Sequence, residues 1–200
     1  LRSRPRVWPL YSIEPIHMDH YGMFNFADAI STDSQRYIAT MIDAVHWNET
    51  CARRRQIYGG RSREGNSSGR NAIDNLPLWT EPLLQDFDRR GIFGQYARPN
   101  ELLVWEFMAG QGVCPFQEDP DFYTGLTILA FLGDPVNMIF KRDNFILHYL
   151  AEGGNVLVLD RHGKQWFRCV PFDDRFYDSG EDHLGHRGRH ITLMFRHVTR

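Results

Sequence analysis

The chain has 200 residues and a mass of 23.4 kDa, the size of one ordinary domain. Its apolar share of 42% and aromatic share of 14% are enough to bury a core and exclude a disordered chain. No apolar run is long enough to cross a membrane, and a net charge of −2 excludes a uniformly basic nucleic-acid coat.

Residues 1–30 are rich in Pro and aromatics (Trp8, Tyr11, Tyr21, Phe24, Phe26) and read as an extended N-terminal arm ahead of a domain spanning 31–200. The chain starts at Leu1 with Arg2, Arg4 and Arg6 close behind, a pattern expected of a processed mitochondrial presequence. Ser31-Thr32-Asp33 offers caps, and Tyr37, Ile38, Met41, Ile42 and Val45 recur at helical spacing, so a helix is predicted over 33–49. Arg53, Arg54 and Arg55 open a basic stretch with Tyr58, Arg61, Arg63 and Arg70, and 61–70 reads as a flexible loop. Thr80-Glu81-Pro82 starts a second helix, with Leu83, Leu84 and Phe87 as its buried stripe and Gly91 as its end. From Glu101 onward seven strands are predicted: 102–107, 126–131, 136–140, 145–150, 155–159, 165–170 and 190–197. Helices followed by strands give an α+β domain, a sandwich or barrel flanked by helices.

The near-neutral total hides a segregation of charge. Residues 1–70 hold 10 basic and 7 acidic residues, residues 71–135 hold 3 and 10, and residues 136–200 hold 10 and 8. Of the 23 basic residues only Lys141 and Lys164 are Lys. Arg suits bidentate pairing with phosphate and stacking on bases. Cys51, Cys114 and Cys169 are odd in number and widely spaced, so neither a disulfide partner nor a zinc site is expected.

Several stretches taken together are identifiable. They are Arg53–Gly60, Leu76-Pro77-Leu78-Trp79, Asn100–Gly110 running into Gly112–Pro115, Phe122-Tyr123, Leu132-Gly133 and Ile191–Arg196. In order and spacing they resemble the AlkB-type Fe(II)/2-oxoglutarate dioxygenases of the short eukaryotic kind, over roughly residues 35–198. The resemblance implies a double-stranded β-helix (jelly-roll) core with N-terminal flanking helices.

The same resemblance implies a degenerate site. The family binds iron through two His and one carboxylate, leaving positions open for cosubstrate and oxygen. Its H-x-D falls on Phe116-Gln117-Glu118, and its distal His on Pro171 at the end of Trp166–Pro171. Neither Phe nor Pro can ligate. The N-x-Y that holds 2-oxoglutarate falls on Trp105-Glu106-Phe107. Of the paired arginines that clamp its carboxylates, Arg196 is retained and the other position is His190. Arg189 is one residue out of register, on the opposite strand face. No cofactor and no metal are therefore expected.

The bland readings are solvated histidines for His183, His186, His190 and His197, and acidic surface for Asp173, Asp174, Asp178, Glu181 and Asp182. The expected function is a catalytically inactive AlkB-like domain in a larger assembly, a ribonucleoprotein such as a mitochondrial ribosome or RNA-processing complex. Its partners would be protein subunits and RNA, the latter through Arg53, Arg54, Arg55, Tyr58, Arg61, Arg63 and Arg70. The alternative is a divergent Fe(II)/2-oxoglutarate dioxygenase acting on nucleic acid or protein, with Glu118 and a His from 162–190 as ligands.

Overall fold

A computed structural model describes residues 18–49, 53–59, 75–119, 121–176 and 185–198. Ser31 caps helix α1 (Thr32–Asp43), its hydroxyl accepting from the Ser34 amide at 3.3 Å. The helix buries Ile38 and Ile42 and leaves Tyr37 exposed. It stops at Asp43 rather than 49, because Asn48–Glu49 already form a short strand, β2, against β3 (Arg54–Gly59). Helix α2 (Glu81–Arg89) starts after Thr80, carries Pro82 in its first turn and buries Leu83, Leu84 and Phe87 as its spacing predicts. The Thr80 hydroxyl donates to the Pro77 carbonyl at 2.7 Å instead of capping the helix.

All the predicted strands from Glu101 onward are present with shifted ends. They are β4 (Glu101–Phe107), β6 (Tyr123–Gly133), β7 (Val136–Arg142), β8 (Phe145–Ala151), β9 (Val156–Leu159), β10 (Phe167–Val170) and β13 (His190–Val198). Further strands were not foreseen. β1 (Met23–Phe26) pairs with β9, Met23 opposite Leu159, so the last part of the expected arm is built into the sheet. β5 (Val113–Phe116) contains Pro115, which hides it from a propensity reading, and its edge position tolerates the missing N–H. Short β11 (Arg175–Phe176) and β12 (Gly185–His186) form a separate ribbon. Residues 1–17 and 61–70 lie outside the described residues.

Two antiparallel sheets result. The larger runs β1-β9-β6-β13-β4-β3-β2 and the smaller β5-β10-β7-β8. Strand alternation then sorts the side chains into two cores. Val104, Ile128, Leu193 and Phe195 face α1 and α2, where Phe87 meets Phe195 edge to face at 6.2 Å. Leu103, Trp105, Phe107, Leu129, Phe131 and Met194 face inward, against Met138, Phe140 and Tyr149 of the small sheet. Where β6 turns into β7, Gly133 has φ +83°, and a Cβ there would lie 2.3 Å from the Arg189 carbonyl oxygen. That close approach seats β13 beside β6.

Candidate functional site

The inward positions of β4, β6, β10 and β13 are where this architecture would hold chemistry. Toward one end they are charged. Glu118, just past β5, is buried and accepts the Thr127 hydroxyl at 2.6 Å. Arg168 Nη2 lies 3.0 Å and Arg196 Nη1 3.6 Å from its Oε1. Arg196 also pairs with the buried carboxylate of Glu101, and its guanidinium lies 3.9 Å from the Tyr123 ring centroid. Lys164, buried beside them, donates to the carbonyls of Tyr123 at 2.9 Å and Gly125 at 2.7 Å. Two carboxylates thus face three cations away from water. Burial alone would push the Glu118 carboxyl up. Arg168, Arg196 and the Thr127 hydroxyl outweigh it and hold Glu118 below the ordinary carboxylate range.

Toward the other end the interior is apolar. Trp105 and Phe107 meet edge to face at 6.1 Å, and Phe116 packs on Trp105 at 5.3 Å. His190 is not a solvated histidine as expected: it opens β13 with its side chain inward and is 1% exposed between Phe107 and Phe131. Its Nδ1 lies 2.6 Å from the Asp134 carbonyl oxygen, which can only accept, so Nδ1 carries the proton. Nε2 then accepts from the Thr192 hydroxyl at 3.1 Å. Burial pushes the His190 imidazole down to about 4, so it is neutral at pH 7.

These contacts test whether iron and 2-oxoglutarate fit. The strand residue opposite Phe116 is Arg168, whose guanidinium lies 4.6 Å from the Phe116 ring centroid. Pro171 lies past the end of β10, its carbonyl accepting from Arg187 Nη1 at 2.9 Å. A permanently cationic Arg beside Glu118 repels a divalent cation, and Glu118 is already engaged by two guanidiniums and a hydroxyl. His162 is exposed, as is His186 on β12, and His190 has both nitrogens engaged; His183 lies outside the described residues. Among the described residues, no three His, Cys, Asp or Glu side chains cluster to hold a metal. The cosubstrate positions fit no better. Trp105 and Phe107 fill the interior, and Arg196 is neutralised by Glu101. This donor set does not fit iron or 2-oxoglutarate.

The basic stretch is divided by the sheet. Arg53 stacks on the Trp105 ring at 4.6 Å, on the inward face. Arg54 points to the helix side, gripping Glu106 at 2.5 and 2.7 Å and lying over the Trp47 ring. Arg189 shares Glu106 at 2.6 Å and binds Asp43 at 2.8 Å, which accounts for the acid between Trp105 and Phe107. Tyr58 is buried, its hydroxyl donating to Gln56 Oε1 at 2.8 Å, so its ring cannot stack on a base. Arg55 is half-buried; Arg61, Arg63 and Arg70 lie outside the described residues. A groove of about 420 Å³ lies elsewhere, between α1 and α2, lined by Ile30, Tyr37, Ile38, Trp79 and Leu83.

Arg168, Glu101, Thr127 and Lys164 carry no motif that marks them in the sequence. The available signal was charge at alternate positions of apolar strands: Arg168 between Trp166 and Val170, Glu101 opening an all-buried run.

No family model matches the chain. A curated relative, uncharacterized protein L905 of Acanthamoeba polyphaga mimivirus, is 23% identical over 176 residues, covering 86% of this chain and 82% of that protein. Among solved structures, OsALKBH1 superposes with TM-score 0.62 at 15% identity over 88% of this chain and 97% of that one. The chain has an AlkB-like 2-oxoglutarate oxygenase fold. A Pseudomonas putida prolyl-4-hydroxylase (TM-score 0.56, 14% identity, 91% and 96% covered) shares it. So does a 2OG-Fe(II) oxygenase-family oxidoreductase from Burkholderia pseudomallei (TM-score 0.57, 11% identity, 93% and 93% covered). Within this fold Glu118, Arg168, Arg196 and Glu101 form a buried charged cluster. Among the described residues no helix is long and apolar enough to cross a membrane.

Proposed function

We propose that the chain is a non-catalytic AlkB-like domain that serves as a structural or interaction subunit of a larger assembly. The observation that carries this reading is Arg168 paired to Glu118 at 3.0 Å, where the fold would otherwise place open metal positions. The carboxylates a metal would need are already paired with buried guanidiniums, which cannot give up their charge. The favoured setting is a ribonucleoprotein, with a mitochondrial address. Arg53 and Arg55 are the proposed RNA contacts among the described residues; Arg61, Arg63 and Arg70 lie outside them, and Arg54 and Tyr58 face the helix side. Electrostatic contact to a phosphate backbone would weaken steeply with salt.

Sedimentation of the tagged chain from a cell extract tests this. Co-migration with a ribonucleoprotein particle, lost on nuclease treatment, is the expected result. A chain that stays free at the top of the gradient, or that turns 2-oxoglutarate into succinate, defeats the reading in favour of a divergent oxygenase.

A further inference from the structure

Each sheet ends in strands whose outer N–H and C=O groups pair with no strand among the described residues. Natural sheets blunt such edges by shortness, proline, bulges or charge. Three of the four edges here conform. β2 has two residues, β1 has four, and β5 has four with Pro115 and an irregular register against β10. β8 does not. It has seven residues, Phe145–Ala151, in unbroken register with β7 from Val136↔Ala151 to Arg142↔Phe145. Its sequence FILHYLA holds no proline and no Asp, Glu, Lys or Arg. Phe145 and Ile146 are 61% and 44% exposed. Leu147 and Tyr149 are held inward, with the Tyr149 hydroxyl donating to Asn25 Oδ1 at 2.8 Å, so the strand is fixed in extended form.

We propose that the β8 edge is a self-association surface, pairing antiparallel with β8 of a second copy of this chain. The strand is centred on His148, so a two-fold axis there places residue 145 opposite 151, 146 opposite 150, and His148 opposite itself. All seven residues then pair, and every directly opposed pair shares a sheet face, as antiparallel pairing requires. On the outer face Ile146 meets the second copy's Leu150, twice, flanking the two histidines. Main-chain hydrogen bonds would form with any added strand, but exposed Phe145 and Ile146 favour an apolar partner strand over a charged one. β8 itself is uncharged, long enough, and apolar at the matching positions. The two small sheets join into one of eight strands. A strand pair of this length falls short of the about 800 Å² per partner of a standard interface, so the dimer forms in a concentration-dependent way. Pairing at β8 is independent of what the jelly-roll interior binds.

Sedimentation equilibrium on the full chain, with His148→Glu and His148→Lys variants, tests the surface and its register together. His148 is exposed, and circular dichroism serves to check that each variant folds. The wild type is expected to dimerise reversibly. Each variant places like charges face to face on the axis and weakens association roughly tenfold. An equimolar mixture of the two variants recovers dimer to within about threefold of wild type, because the introduced carboxylate then opposes the introduced ammonium only across unlike chains. A wild type that stays monomeric overturns the proposal, whether another segment or another protein covers the edge. So does a dimer indifferent to both variants, or a mixture that fails to recover.

Discussion

Replacing Glu118 by Gln keeps the side chain's shape and removes one of two carboxylates facing three buried cations. At an effective dielectric constant of about 20, a unit charge 3.0 Å from Arg168 and 3.6 Å from Arg196 is attracted by about 5 kcal/mol to each. Much of that sum offsets the desolvation of the carboxylate. Breaking a buried pair while leaving its partner charged costs about 3–5 kcal/mol net. For a domain of this size that lowers Tm by roughly 10 °C. Urea unfolding at pH 7 and thermal scans measure it. The sign with pH follows from the depressed carboxyl. The Glu118 contribution is complete above the ordinary carboxylate value of about 4.3 and is lost as pH falls through the lower folded value. The gap between wild type and Glu118→Gln should therefore close in acid. Removing both partners, Glu118→Leu with Arg168→Met, should recover most of the loss, since apolar replacement of a buried pair is often neutral. A single variant as stable as wild type, or more stable, refutes the reasoning. That is the behaviour of a carboxylate kept for function at the expense of stability.

Burial of neutral His190 makes folding pH-dependent in another window. Its folded value near 4 lies below the ordinary 6.5, so the unfolded chain binds the proton first and stability falls by about 3 kcal/mol as pH drops from 6.5 to 4. A His190 resonance that titrates near 6.5 in NMR spectra would contradict this. Glu106→Ala strips the shared acceptor from Arg54 and Arg189, both partly exposed, and should cost about 2 kcal/mol in denaturant unfolding. Gly133→Ala, with φ +83° and a carbonyl 2.3 Å from the new Cβ, should cost about 1–3 kcal/mol; an unchanged midpoint would show that the Arg189 carbonyl can yield.

The contrast between what was legible in the sequence and what was not has physical causes. The strands from Glu101 onward announce themselves because alternate or continuous burial needs apolar residues that Gly and Asp interrupt. β3 is not legible as a strand because three consecutive Arg read as solvated, although Glu106 and the rings of Trp47 and Trp105 absorb two of them from opposite faces. The end of α1 was misplaced because Val45 kept the helical spacing after the backbone had left the helix. Phe116 and Glu118 stood out only through the resemblance to the AlkB-type enzymes, whose H-x-D falls on them. Arg168 did not, because its partner Glu118 lies 50 positions away in the chain and only sheet pairing brings them together.

We propose that this AlkB-like interior is closed by its own ion pairs to iron and 2-oxoglutarate. Anaerobic titration of the full chain with Fe(II) and 2-oxoglutarate, followed by visible absorption, tests it most directly. No charge-transfer band is expected at any ratio of the two. A saturable band, abolished by Glu118→Gln, would contradict it.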